Sequence, residues 1–140
     1  MLKHKRFIAV LCTATIGFSA LSMSVFAATS VSGRSSGGSS GYANCSGSIS
    51  LTNSTSAFGQ DKVSATTLSD ASGRLGVQAI IWYNSGSTEQ SKVAQNIQDS
   101  SISVSVTAIG PNQYGNRGTA GHTFSSSNRG SWTGSTNKDF

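Results

Sequence analysis

The sequence predicts an all-β domain, a small antiparallel sandwich or barrel of about six to eight short strands. Three observations predict it. Ser101 to Ile109 alternates strictly, with Ile102, Val104, Val106 and Ala108 on one side and Ser101, Ser103, Ser105 and Thr107 on the other. That is the pattern of a half-buried antiparallel strand with one wet face. Arg74 to Tyr83 places Leu75, Val77, Ala79, Ile81 and Tyr83 on one face by the same period. Turn-forming clusters of Gly, Asn, Ser, Asp and Pro separate these runs about every ten residues.

In chain order, residues 1–27 read as an export signal that is cleaved after Ala27. Lys3, Lys5 and Arg6 form a basic head, and an apolar stretch runs from Phe7 to Leu21. Val25 and Ala27 then supply the small residues that signal peptidase reads. The dense basic head has a bacterial character. The apolar stretch is shorter than the roughly 20 residues a spanning helix needs, and no second one follows, so no membrane span is expected after cleavage. Cys12 follows Ala9-Val10-Leu11 but sits too close to Arg6 for a lipoprotein site. Residues 28–41 are Gly/Ser-rich without periodicity and read as a flexible linker. The secreted β domain then occupies residues 42–140.

Within that domain, residues 46–52 alternate weakly around Ile49 and Leu51 and form the first expected strand. Residues 62–68 form the next, with Val63, Ala65 and Thr67 on one face. Ser69-Asp70-Ala71-Ser72-Gly73 is turn chemistry between two β-prone runs and predicts a hairpin. In the 74–83 strand, Ile80 and Trp82 fall opposite the main apolar face, and a central strand with Trp82 in the core of a second sheet accounts for them. Residues 88–98 fit a helical turn or a strand, and the β-rich surroundings favour strand or irregular structure. Gly110-Pro111-Asn112 ends the 101–109 strand. Ala120, His122 and Phe124 alternate next, and the Ser127–Gly130 turn leads into a short strand at 131–135 carrying Trp132.

Composition narrows the function. The chain has 140 residues, of which 11% are charged, so it is one domain and neither a charged disordered tail nor a coiled coil. After removal of the signal, seven basic side chains face five acidic ones, a net charge of +2 in place of the +5 of the whole chain. The basic residues are scattered, without the stripe that nucleic-acid binding requires, so no nucleic acid is expected. Cys45 is the single remaining cysteine. It is either a small buried hydrophobe or the link of an intermolecular disulfide dimer.

Catalytic chemistry finds little support. His122 is the only histidine left, and serine is everywhere, so a Ser-His-Asp reading lacks specificity. Gly33-Arg34-Ser35-Ser36-Gly37 matches a nucleophile elbow in letters, but without the strand and helix that motif needs. One His and one Cys do not make a zinc site, and the acids are too dispersed for calcium, so neither metal nor cofactor is expected. The Asn44-Cys45-Ser46 and Asn53-Ser54-Thr55 sequons are chance matches in a Ser/Thr-rich chain. The aromatic residues are the remaining clue, because a flat ring covers the apolar face of a sugar. Tyr114 in a Gly/Asn loop and Trp132 beside an Asn-Arg-Gly turn, with Arg117, His122 and Arg129, form the expected ligand-binding set. The expectation is a secreted non-enzymic β module that binds a cell-surface glycan, a wall polymer or a protein partner. A secreted cationic, bacteriocin-like antibacterial protein and a small secreted hydrolase are the alternatives.

Overall fold

The computed structural model describes residues 28–140; the expected signal peptide lies outside the described residues. The described chain is all-β and antiparallel. Its six strands are β1 (Ser30–Arg34), β2 (Asn44–Thr52), β3 (Lys62–Ser85), β4 (Thr88–Ile109), β5 (Gly115–Ser126) and β6 (Gly130–Asp139). They form a single, nearly closed, barrel-like sheet in the order β1-β2-β3-β5-β6, with β4 on the other side of β3.

Two strands are far longer than expected, at 24 residues for β3 and 22 for β4. The reason lies at residues 69–73, which do not turn the chain back. The chain continues through them as a bent strand. The odd-numbered residues Ser69, Ala71 and Gly73 stay more buried than Asp70, Ser72 and Arg74, so the inward phase set by Val63 and Ala65 runs on to Leu75 and Val77. Small residues let the strand bend, and the β3–β4 register shifts between Leu68 and Leu75, with Ser100 in the left-handed region opposite. Gly73 sits where a Cβ would stand 2.9 Å from Cζ of Phe124.

The bend divides the sheet. Before it, β3 pairs with β2 from Lys62 to Ser69. After it, β3 pairs with β5 from Arg74 to Tyr83. β4 follows β3 through both halves, pairing from Ser103 to Ile109 with the first and from Thr88 to Gln98 with the second. Residues 88–98 are therefore strand. The two halves of the sheet fold over one core of Ile49, Val63, Ala65, Leu75, Val77, Ile81, Val104, Phe124 and Trp132.

Two seams bring the sheet close to closure. At one, β1 and β6 are joined at their ends, with Asn137 N donating to Ala28 O at 3.0 Å and Ser36 N to Ser131 O at 2.8 Å. At the other, Asn96 Nδ2 reaches from the first half of β4 to Ser105 O in its second half, at 3.0 Å.

The 28–41 segment departs from its expected role as a linker. Ser30–Arg34 is β1, paired with β2 from Ser30↔Ser48 to Arg34↔Asn44. Residues beyond it clasp the β5–β6 turn: Gly37 N donates to Arg129 O and Ser40 N to Asn128 O. Glycine here serves close packing. A Cβ at Gly33 would stand 2.5 Å from Trp132 Nε1, and one at Gly38 would stand 2.6 Å from Asn128 O. The ordered domain thus takes in residues that composition assigned outside it.

Candidate functional site

His122 lies at the centre of the barrel, fully buried. Its Nδ1 is 2.9 Å from Thr67 Oγ1 and its Nε2 is 2.9 Å from Thr136 Oγ1. Thr67 Oγ1 donates its proton to Gly76 O, so it accepts from the imidazole. The neutral ring therefore carries its proton on Nδ1, and Nε2 accepts from Thr136. Gly47 lies against the ring on the β2 side, where any Cβ would run into it. Burial lowers the pKa of His122 to about 4, because the charged form loses its hydration. A hydrogen-bonded neutral imidazole without solvent access does not take part in a surface ligand site. It also offers no base to an incoming substrate.

Trp132 is likewise interior, 8% exposed, and packed against Gly33 and Gly134. Two members of the expected ligand set, His122 and Trp132, are thus core residues. Period-two phase explains both: Ala120, His122 and Phe124 share one inward face of β5, and Trp132 pairs with Phe124 on β6. Cys45 is also inward and buried, 3.8 Å from Ala43 O. Burial pushes its thiol pKa up. This geometry favours the buried-hydrophobe reading of Cys45 over an intermolecular link.

The other three members do not converge. Arg129 lies in the β5–β6 turn and donates to Tyr42 O at 3.0 Å, beside the Arg34 guanidinium stacked 4.3 Å above the Tyr42 ring. Tyr114 and Arg117 lie at the opposite end of β5, about 30 Å away by strand rise. There they join residues that the sequence reading did not select.

That second end is the better-built site. Trp82 points outward, because the barrel has one interior and odd-numbered residues of β3 fill it. Its ring is half-buried, with the Arg117 guanidinium 4.8 Å from the ring centroid and its Nε1 donating to Thr119 Oγ1 at 3.3 Å. Arg117 also pairs with Glu89 at 3.4 Å. Its Nε is buried without a partner.

A β-bulge sets the neighbouring residue. Trp82 pairs with Arg117 but Tyr83 pairs with Gly115, so Asn116 is the extra residue. Its side chain exchanges two 3.0 Å hydrogen bonds with Asn84 and also donates to Glu89 at 3.2 Å. Tyr114, 60% exposed, lies two residues before it. Its carbonyl accepts from Asn84 N at 3.0 Å, and its N–H donates to Asn112 Oδ1 at 2.9 Å.

Asp61 anchors this end from within. It is 2% exposed and accepts from Ser54 N at 2.7 Å and Gly115 N at 2.9 Å. One carboxylate thereby fixes both the 53–61 loop and the start of β5. The result is a rigid surface of one half-buried and one exposed ring, two amides and an internally balanced ion pair. Such a surface can stack against an apolar face and hydrogen-bond hydroxyls or amides beside it.

Among the described residues, no group of three His, Cys, Asp or Glu side chains lies close enough to share a metal ion. No family model, curated protein or solved structure matches the chain.

Proposed function

We propose that the protein is an exported, non-enzymic module that binds a cell-surface or wall glycan at the Trp82 end of the barrel. The observation that carries this reading is the cluster of Trp82, Arg117, Asn84, Asn116 and Glu89, with the exposed Tyr114 tied to Asn84 through its backbone. Aromatic surface is there to stack on the sugar ring, while the amides and the carboxylate are there to meet its hydroxyls. Arg117 is already paired with Glu89, so binding rests on stacking and hydrogen bonds more than on net charge. The basic, apolar and small-residue sequence of residues 1–27 supports export.

The test is co-sedimentation of the purified protein with bacterial cells and purified walls at low and high salt. Binding that persists in high salt is expected, since exposed charge pairs are screened and stacking is not. Trp82→Ala is expected to weaken it about tenfold, about 1.4 kcal/mol, and Tyr114→Ala by a smaller factor. Binding that disappears in high salt, or that survives both substitutions unchanged, would overturn the reading.

A further inference from the structure

At the bend of β3, far from the ring cluster, a shallow, open depression of about 470 Å³ lies between Arg74 and the β5–β6 turn. Ser125, Ser126, Ser127, Gly130 and Ser131 complete its wall. The lining residues are one arginine, four serines and a glycine, and the Asp99 carboxylate is paired with the arginine.

Most of these donors are uncommitted. Ser126 Oγ donates to Asn128 Oδ1 at 2.6 Å. Among the described residues, the hydroxyls of Ser125, Ser127 and Ser131 make no hydrogen bond, and Arg74 touches only Asp99. That contact is 3.5 Å long, between side chains 54% and 72% exposed. A pair that long and that wet is weak and readily displaced.

The wall is also held in place before any ligand arrives. Ser131 N donates to Ser36 Oγ at 3.0 Å, and Gly37 N to Arg129 O at 3.1 Å. Gly130, at φ 76, lies where a Cβ would meet the Gly37 backbone at 2.6 Å. The turn is therefore clamped by the segment that follows β1, and a ligand need not order it.

We propose that this depression binds a phosphate group. A tetrahedral oxyanion that accepts on several oxygens at once suits a guanidinium held only by a weak, wet pair to Asp99 and flanked by serine hydroxyls, and it would displace the carboxylate as the guanidinium's partner. The site is independent of the glycan reading.

The experiment is a ¹⁵N amide titration of the purified protein with inorganic phosphate, and in parallel with glycerol phosphate and with acetate. Saturable shifts confined to Arg74 and residues 125–131 are expected. Arg74→Gln is expected to weaken binding about tenfold, as loss of one charge-assisted contact does. Asp99→Asn is expected to strengthen it by freeing the guanidinium. Arg74 is half exposed, so neither change touches the core. Shifts that never saturate, shifts spread over all basic groups, or an Arg74→Gln protein that titrates like the parent would overturn the proposal. Equal affinity for acetate would also overturn it. Binding of glycerol phosphate at the same amides identifies an ester, in a polymer or a headgroup, as the source; binding of inorganic phosphate alone identifies the free ion.

Discussion

The two halves of β3 present the same kind of side chain to the interior and different ones to solvent. Before the bend, Val63, Ala65 and Thr67 point inward, and Ser64, Thr66 and, at its end, Leu68 point out. After it, Leu75, Val77, Ala79 and Ile81 point inward, and Ile80 and Trp82 point out. The partner strands reinforce the contrast. Outside the first half lie Ser46, Ser48 and Ser50 of β2 and Ser103, Ser105 and Thr107 of β4. Several of these hydroxyls bond only to one another, as Ser64 does to Thr107 at 2.9 Å and Thr66 to Ser105 at 2.8 Å. Outside the second half, Ile80 pairs with Val93, which is 55% exposed, and Trp82 pairs with Arg117. A face covered mainly by hydroxyls, with Leu68 and Ile109 at its ends, is the ordinary wet side of a half-buried sheet. An outward tryptophan under an arginine has no such packing need, which is why the glycan site is placed on the second half.

The largest way to break this arrangement acts where the halves meet. Gly47→Val on β2 drives a side chain into the His122 ring, and about 3 kcal/mol or more of stability should be lost. Urea denaturation would register it as a lower midpoint with a similar slope.

Acid should act on the same contact. The unfolded chain protonates His122 near pH 6.5, whereas the fold resists protonation down to about pH 4. Above pH 6.5 neither state holds the proton and the full stability is present. Between 6.5 and about 4 the unfolded state gains a proton that the native state lacks, so stability falls as pH falls. The loss is on the order of 3 kcal/mol at its limit. Denaturation midpoints at several pH values in that window should track it. His122→Gln should flatten the dependence while lowering stability at neutral pH. An unchanged slope in that variant would show that other groups carry the acid sensitivity.

The two outer faces should separate in smaller effects. Trp82→Ala removes a half-buried ring and should cost about 1 kcal/mol of stability, less than a core truncation, while weakening wall binding. Thr66→Ala on the hydroxyl face should change stability by about 0.5 kcal/mol or less and leave binding untouched. Paired denaturation and sedimentation of the two variants would sharpen the contrast. Equal binding losses in both would erase it.

The failures of sequence reasoning have specific causes. Ser69–Gly73 has turn composition, yet the odd-numbered inward phase continues through it, and phase was the better guide. Gly33 and Gly38 looked like linker residues because a glycine that permits flexibility and one that permits close packing are the same letter. Trp132 and His122 looked like surface ligands because aromatic and imidazole rings serve either role. Trp82 was assigned to a second core because a strand apolar on both faces fits a central strand as well as a barrel wall with an exposed patch. Asn116 had no local signal, since its orientation comes from a bulge between distant strands.

By itself, the sequence determined the all-β class, the inward face of β3 on both sides of the bend, and the inward placement of Val104 and Ala108 in β4, though Ile102 of the same expected face is 59% exposed. These follow from side-chain alternation, which is a local property. Tertiary structure alone decided that β3 bends without reversing, that residues 30–34 add a strand, that His122 is locked between Thr67 and Thr136, and that Trp82 meets Arg117 and Asn116. Each of those depends on which distant strand lies alongside. Strand pairing is a choice among non-local partners that period-two patterning leaves open.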